Sequence, residues 1–168
     1  WRIAQESWWP IDAIDEFKLR YSVGTAGGRP SFSNQYETYS VSGGIISPNS
    51  LGNTQLKPEL STEQEFGLEM VFFGKFAITA AYVENKIEDQ LLNVPLPGYA
   101  GFRSQWQNAG TLESNTYEGS IEAAIIDSPN MGWSSRINFD RTRQEITYLN
   151  RPAYRSGSTY VREGEALG

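Results

Sequence analysis

The sequence predicts an all-β fold, an antiparallel up-and-down sheet of about five to six long strands. Three observations carry that reading. The chain is rich in strand-forming rings and turn-forming glycine, with 9 Tyr, 8 Phe, 5 Trp and 16 Gly, which suits strands joined by turns better than packed helices. Apolar and polar residues alternate with period two over long stretches. Compact and long connections also alternate along the chain.

The elements follow in order. Pro10 is placed to open a short helical turn within residues 4–15, with Trp8, Ile11 and Ile14 three apart on one side. From Phe17 the period becomes two: Phe17, Leu19, Tyr21 and Val23 alternate with Lys18, Arg20, Ser22 and Gly24. Residues 25–61 break the pattern at Gly27, Gly28, Pro30, Gly43, Gly44, Pro48, Gly52 and Pro58, and read as a loop far above ordinary connection length. Phe66, Leu68, Met70 and Phe72 then share one face. After Phe73-Gly74-Lys75, Phe76, Ile78, Ala80 and Tyr82 do the same. A three-residue hairpin loop pairs Phe72 with Phe76, Met70 with Ile78, Leu68 with Ala80 and Phe66 with Tyr82, keeping every apolar residue on one side.

A second irregular stretch covers residues 93–104. The next alternating run ends in Tyr117, Gly119, Ile121, Ala123 and Ile125. A short turn at Asp127-Ser128-Pro129-Asn130 leads to Trp133, Ile137 and Phe139, and residues 150–168 are irregular again. Pairing Tyr21 beside Leu68 sets Arg20 opposite Glu69. The analogous register sets Glu122 opposite Arg136 and Phe139 across from Gly119.

Composition excludes several classes of function. At 168 residues the chain suits one domain, and 14 Lys+Arg against 20 Asp+Glu give a net charge of −6, so no nucleic-acid partner is expected. With no Cys and no His, thiol nucleophiles, disulfides, zinc fingers and Ser-His-Asp triads are ruled out, and we expect no catalytic, metal or cofactor-binding residue. Glu65 and Glu69 would be a glycosidase pair only at shorter range, since four strand residues separate them by about 13 Å. No 18-residue apolar run marks a transmembrane helix, a test to which a transmembrane β-barrel is indifferent. The chain starts at Trp1 with no signal peptide and stops at Gly168 without a closing pattern, which reads as an excerpt of a longer protein.

In an up-and-down sheet, successive connections lie at opposite ends. The compact junctions (4–15, 73–75, 127–131) therefore share one end and the long ones (25–61, 93–104, 150–168) the other, the asymmetry of outer-membrane barrels. Trp8, Trp9, Phe72, Phe73, Phe76 and Trp133 beside the compact turns would form an interfacial girdle. Phe17, Leu19, Tyr21, Phe66, Leu68, Met70, Ile78, Tyr82, Ile121, Ile125, Ile137 and Phe139 would face lipid, and Lys18, Arg20, Glu65, Glu69, Thr79, Glu122, Arg136 and Asn138 an aqueous lumen. The alternative is a soluble β-sandwich module, for instance one binding carbohydrate, with the apolar faces turned inward. No internal period supports an adhesin repeat. Tyr36, Tyr39, Tyr99, Phe102 and Trp106, in or beside the long loops, are the candidate ligand contacts, set against a role in packing the loops together.

The stretch WRIAQESWWPIDAIDEFKLRYSVGTAGG resembles a segment of TonB-dependent outer-membrane receptors, in particular their SusC/RagA-like group, running from a strand end through a short periplasmic helix into a strand like LKLRASYGxTGN. LGNTQLKPELSTEQEFGLEMVFFGKFAITAAYVENKIEDQLLNVPLP, QNAGTLESNTYEGSIEAAII and VREGEALG resemble further segments of that group, in order. Thr116-Tyr117, where the group usually has Lys-Gly or Arg-Gly, and Ala26-Gly27-Gly28 depart from its pattern. The resemblance implies that residues 1–168 are part of a β-barrel domain of roughly 22 strands, a segment of a large transmembrane β-barrel whose lumen a plug closes. The plug domain and signal peptide are expected outside this excerpt. It implies an importer of a large nutrient (glycan, peptide or siderophore-like ligand) in the outer membrane of a Gram-negative bacterium, not an enzyme. Implied partners are outer-membrane lipid, the TonB system through the plug region, and in some members a SusD-like lid lipoprotein.

Overall fold

The computed structural model describes residues 1–167. Five long strands dominate it: β1 (Ile14–Gly28), β4 (Glu59–Phe72), β5 (Phe76–Pro95), β6 (Ser104–Ser128) and β7 (Met131–Leu149). Between the first two lie the short strands β2 (Thr38–Ser42) and β3 (Ile45–Leu51), and after the last come β8 (Tyr154–Ser156) and β9 (Thr159–Val161). The main sheet has the order β1-β4-β5-β6-β3-β2, with β7 also pairing with β6, while β8 and β9 pair only with each other. No helix among the described residues is long and apolar enough to cross a membrane.

Three expectations need correction. Residues 25–61 are not structureless: β1 runs on to Gly28, and β2 and β3 form a hairpin turned by Gly43 and Gly44, both at positive φ. Strand β3 then pairs parallel with β6, Ser50 with Ser104 and Leu51 with Gln105, so the sheet is mixed where a purely antiparallel one was expected. Pro10 opens no helix, and the only helical residues nearby are the 3-10 turn Ile3–Gln5. The stacked rings explain this. Trp8 packs on both Trp1 and Trp9, Trp9 stacks on Phe17, and the Trp9 indole N–H donates to the Ile11 carbonyl at 3.0 Å, which holds the chain open through Pro10.

The strands pass through two compact units. The first comprises residues 1–24, 63–84 and 115–143 and contains the compact turns at 73–75 and 129–130. Phe72 stacks on Phe76 at 5.0 Å and Phe66 on Tyr82 at 6.5 Å, as the hairpin register requires. Rows of rings continue across neighbouring strands, Tyr21 against Phe66 and Tyr82 against Tyr117. These apolar faces are uncovered: Tyr21, Phe66, Ile121, Ile137 and Phe139 are exposed, and Ile3 is the only buried apolar residue of this unit among those described. A sandwich would bury those faces under a second layer, and this unit has none.

The second unit (25–62, 85–114 and 144 onward) does have a core. Leu92, Val94, Ala109, Leu112, Ile146, Leu149 and Val161 are buried together, with Ile87, Tyr154 and Leu167 packed against them. Ile146, at 1 % exposure, is its most enclosed large side chain. The segment after β9 returns along β7: Ile146 N–H donates to Glu165 O and Gly164 N–H to Ile146 O, each at 2.9 Å. The stretch read as irregular from residue 150 is thus held by an apolar patch and by backbone bonds.

Candidate functional site

In the first unit the polar residues of each strand meet as ion pairs. Arg20 lies over Gly67 and donates to Glu65 at 2.8 Å and Glu69 at 3.0 Å, and Lys18 reaches Glu69 at 2.9 Å. The expected Arg20–Glu69 contact is present. Tyr21, however, packs on Phe66, and Arg20 sits midway between two carboxylates instead of square with one. Glu65 and Glu69 are thus occupied by cations, which suits a register lock and not a proton-transfer pair. Arg136 Nε donates to Glu122 at 3.1 Å, and the Thr116 and Thr142 hydroxyls meet at 3.0 Å in the same β6–β7 register. Thr79 and Ser120 are joined at 2.6 Å.

The five aromatic candidates all fall in the second unit, but not as one cluster. Tyr39 and Phe102 come together edge-to-face at 5.9 Å, whereas Tyr36 packs on Phe32. Tyr99 is 93 % exposed. Trp106 is half-buried, and its carbonyl accepts from the Asn53 side chain at 2.9 Å. Tyr39 also donates its hydroxyl to Glu37 at 2.8 Å, and that bond to a carboxylate holds the phenol above its usual pKa.

Sequence reasoning missed a polar groove of about 550 Å³ in the same unit. Residues 52–55, 57, 105, 107, 108, 150 and 151, with Asp89, line it, and not one of them carries an aliphatic or aromatic side chain. At Gly52 the backbone passes close to residues 35 and 36, and an added Cβ would stand 2.5 Å from the Gln35 carbonyl oxygen. Asn108 ties three segments together: its Nδ2 donates to Lys57 O and Asp89 O, and its Oδ1 accepts from Lys57 N–H. A directional chain crosses the groove. Arg151 Nε donates to Gln107 Oε1 at 2.7 Å, Gln107 Nε2 to Gln105 Oε1 at 2.8 Å, and Gln105 Nε2 to Gly52 O at 3.0 Å. Most of these residues lie in LGNTQLKPEL and QNAGTLES, stretches quoted above for their resemblance, but their meeting in one groove rests on contacts between distant segments that neither alternation nor a motif displays.

The family described as "TonB dependent receptor-like, beta-barrel" matches residues 9–166. TonB-dependent receptor P3 of Formosa agariphila is 33% identical over 193 aligned residues, spanning 100% of this chain and 19% of that protein. TonB-dependent receptor SusC of Bacteroides thetaiotaomicron is 27% identical over 89% of this chain and 16% of its own length. The chain therefore spans less than a fifth of these relatives. Among solved structures, the RagAB peptide importer superimposes over 97% of this chain in its closed-closed state (TM-score 0.78, 23% identity) and over 94% in its open-open state (TM-score 0.74, 24% identity). At that identity the likeness speaks for the fold.

Proposed function

The chain belongs to the TonB-dependent receptor-like β-barrel family, and from that premise we propose that it forms wall and loops of an outer-membrane importer of a large nutrient. The family is one of receptors and transporters and not an enzyme class. The observation that carries the proposal is the contrast between the two units. One exposes rows of apolar side chains on strands joined by compact turns, and the other holds the long connections and a polar groove. Uncovered apolar faces are costly in water, and contact with hydrocarbon removes that cost.

In this reading Leu19, Tyr21, Phe66, Leu68, Ile121, Ile137 and Phe139 touch lipid, and Arg20, Glu65, Glu69, Glu122 and Arg136 face the lumen. Cargo meets the loops, where Tyr39 with Phe102, and Tyr36, Tyr99 and Trp106 separately, offer flat rings for stacking. A plug domain and the TonB system would belong to the whole receptor, and similarity to SusC and to the RagAB importer supports a lid lipoprotein as partner. A sandwich module for carbohydrate lacks support from either the fold or the relatives.

The test is made on the whole receptor. It should fractionate with the outer membrane, run as a heat-modifiable barrel on gels, and support growth on a polymeric nutrient only while TonB is intact. A soluble product, or TonB-independent growth, would sink the proposal.

A further inference from the structure

The groove in the second unit has a chemical bias. Four of its side-chain acceptors are consumed from within: Asn108 Oδ1 by Lys57 N–H, Asn53 Oδ1 by Gln55 N–H, Gln105 Oε1 by Gln107 and Gln107 Oε1 by Arg151. Two cations, the Arg151 guanidinium and the Lys57 ammonium, stand on this lining. No carboxylate pairs with Arg151 among the described residues, although the chain as a whole carries a net charge of −6. Asp89 is the one carboxylate on the described lining.

The chain of amides also fixes orientation. Because Gly52 O can only accept, Gln105 must point its Nε2 there and offer Oε1 to Gln107, which in turn offers Oε1 to Arg151. The guanidinium is thereby anchored through Nε by neutral groups, which leave its charge unneutralised. An anchored, unneutralised guanidinium favours an anionic group with oxygen acceptors. The absence of aliphatic and aromatic lining disfavours peptide side chains, which need apolar pockets, and suits sugar hydroxyls.

We propose that this groove is a subsite for an acidic oligosaccharide, with Arg151 receiving a carboxylate or sulfate of the glycan and the surrounding amides its hydroxyls. This rests on the importer reading above and names the cargo class for it.

The experiment uses the whole receptor, purified in detergent and tested by isothermal titration against four oligosaccharide pools: oligogalacturonate, its methyl ester, sulfated carrageenan fragments and neutral laminarin fragments. The expected result is binding to one or both charged pools and not to the neutral two. Arg151→Gln should weaken that binding roughly tenfold or more, and Arg151→Lys should restore it only in part. A carboxylate ligand is distinguished from a sulfate by which charged pool binds. Binding of any pool that Arg151→Gln leaves unchanged overturns the subsite while leaving the importer intact, as does failure of every pool in a receptor that still supports TonB-dependent growth. Loss of outer-membrane insertion or of TonB dependence in the wild type overturns the importer reading itself. Heat-modifiable mobility of each variant confirms that its barrel has formed.

Discussion

Arg20 rests directly over Gly67, so near that a Cβ added to the glycine would stand 3.0 Å from both Nε and Nη2 of the guanidinium. This approach lets one arginine span Glu65 and Glu69 on the neighbouring strand. Gly67→Ala should be tolerated, since a partly exposed side chain can give by a few tenths of an ångström. Gly67→Val should displace Arg20 and weaken both ion pairs. Each exposed pair contributes only tenths of a kcal/mol, so the loss should total under about 1 kcal/mol. The folded fraction in heat-modifiable gels, measured against denaturant for the two variants, checks this. Equal midpoints would show that the arginine does not depend on the gap.

Leu68 and Thr79 test which side of the wall meets lipid. Leu68 belongs to the apolar row with Phe66, whereas Thr79 shares a hydroxyl contact with Ser120. Leu68→Arg should impair assembly strongly, since an arginine facing the bilayer midplane costs about 2–4 kcal/mol, and Thr79→Arg should be mild. Equal yields of folded receptor from the two variants would contradict the assigned facing.

Ile146 anchors the segment after β7. It is buried among Leu92, Leu112 and Val161, and its backbone pairs with residues 164 and 165. Ile146→Ala should cost about 2–5 kcal/mol of local stability. The expected readout is faster hydrogen exchange and protease cleavage within residues 150–165, with exchange in residues 63–84 unchanged. A uniform effect on both would mean that the core is not a local one.

Tyr154 supplies a pH dependence. Burial raises its phenol above the ordinary value of 10.0, so above that pH the unfolded tyrosine gives up a proton that the packed one keeps. Protection of the 150–165 segment should therefore hold up to about pH 10 and decline above it. Tyr154→Phe should remove that part of the decline. An identical alkaline profile in the variant would assign the loss to other groups.

Which residues share a face was settled by the order of amino acids. Alternation is a local property that any extended strand obeys, so together with the turn lengths it pairs Phe72 with Phe76, Phe66 with Tyr82, and Glu122 with Arg136, as the fold does. The resemblance to TonB-dependent receptors was likewise legible, because four stretches fall in the right order along the chain. The seating of Arg20 over Gly67 was not, since moving an antiparallel partner by two residues keeps every side chain on its face and leaves the periodic pattern blind to the choice. The parallel pairing of β3 with β6, the core around Ile146, and the amide chain from Gly52 to Arg151 also belong to the tertiary structure alone. Each depends on hydrogen bonds or packing between segments tens of residues apart, and such contacts are chosen by the geometry of the folded chain instead of by any neighbour in sequence.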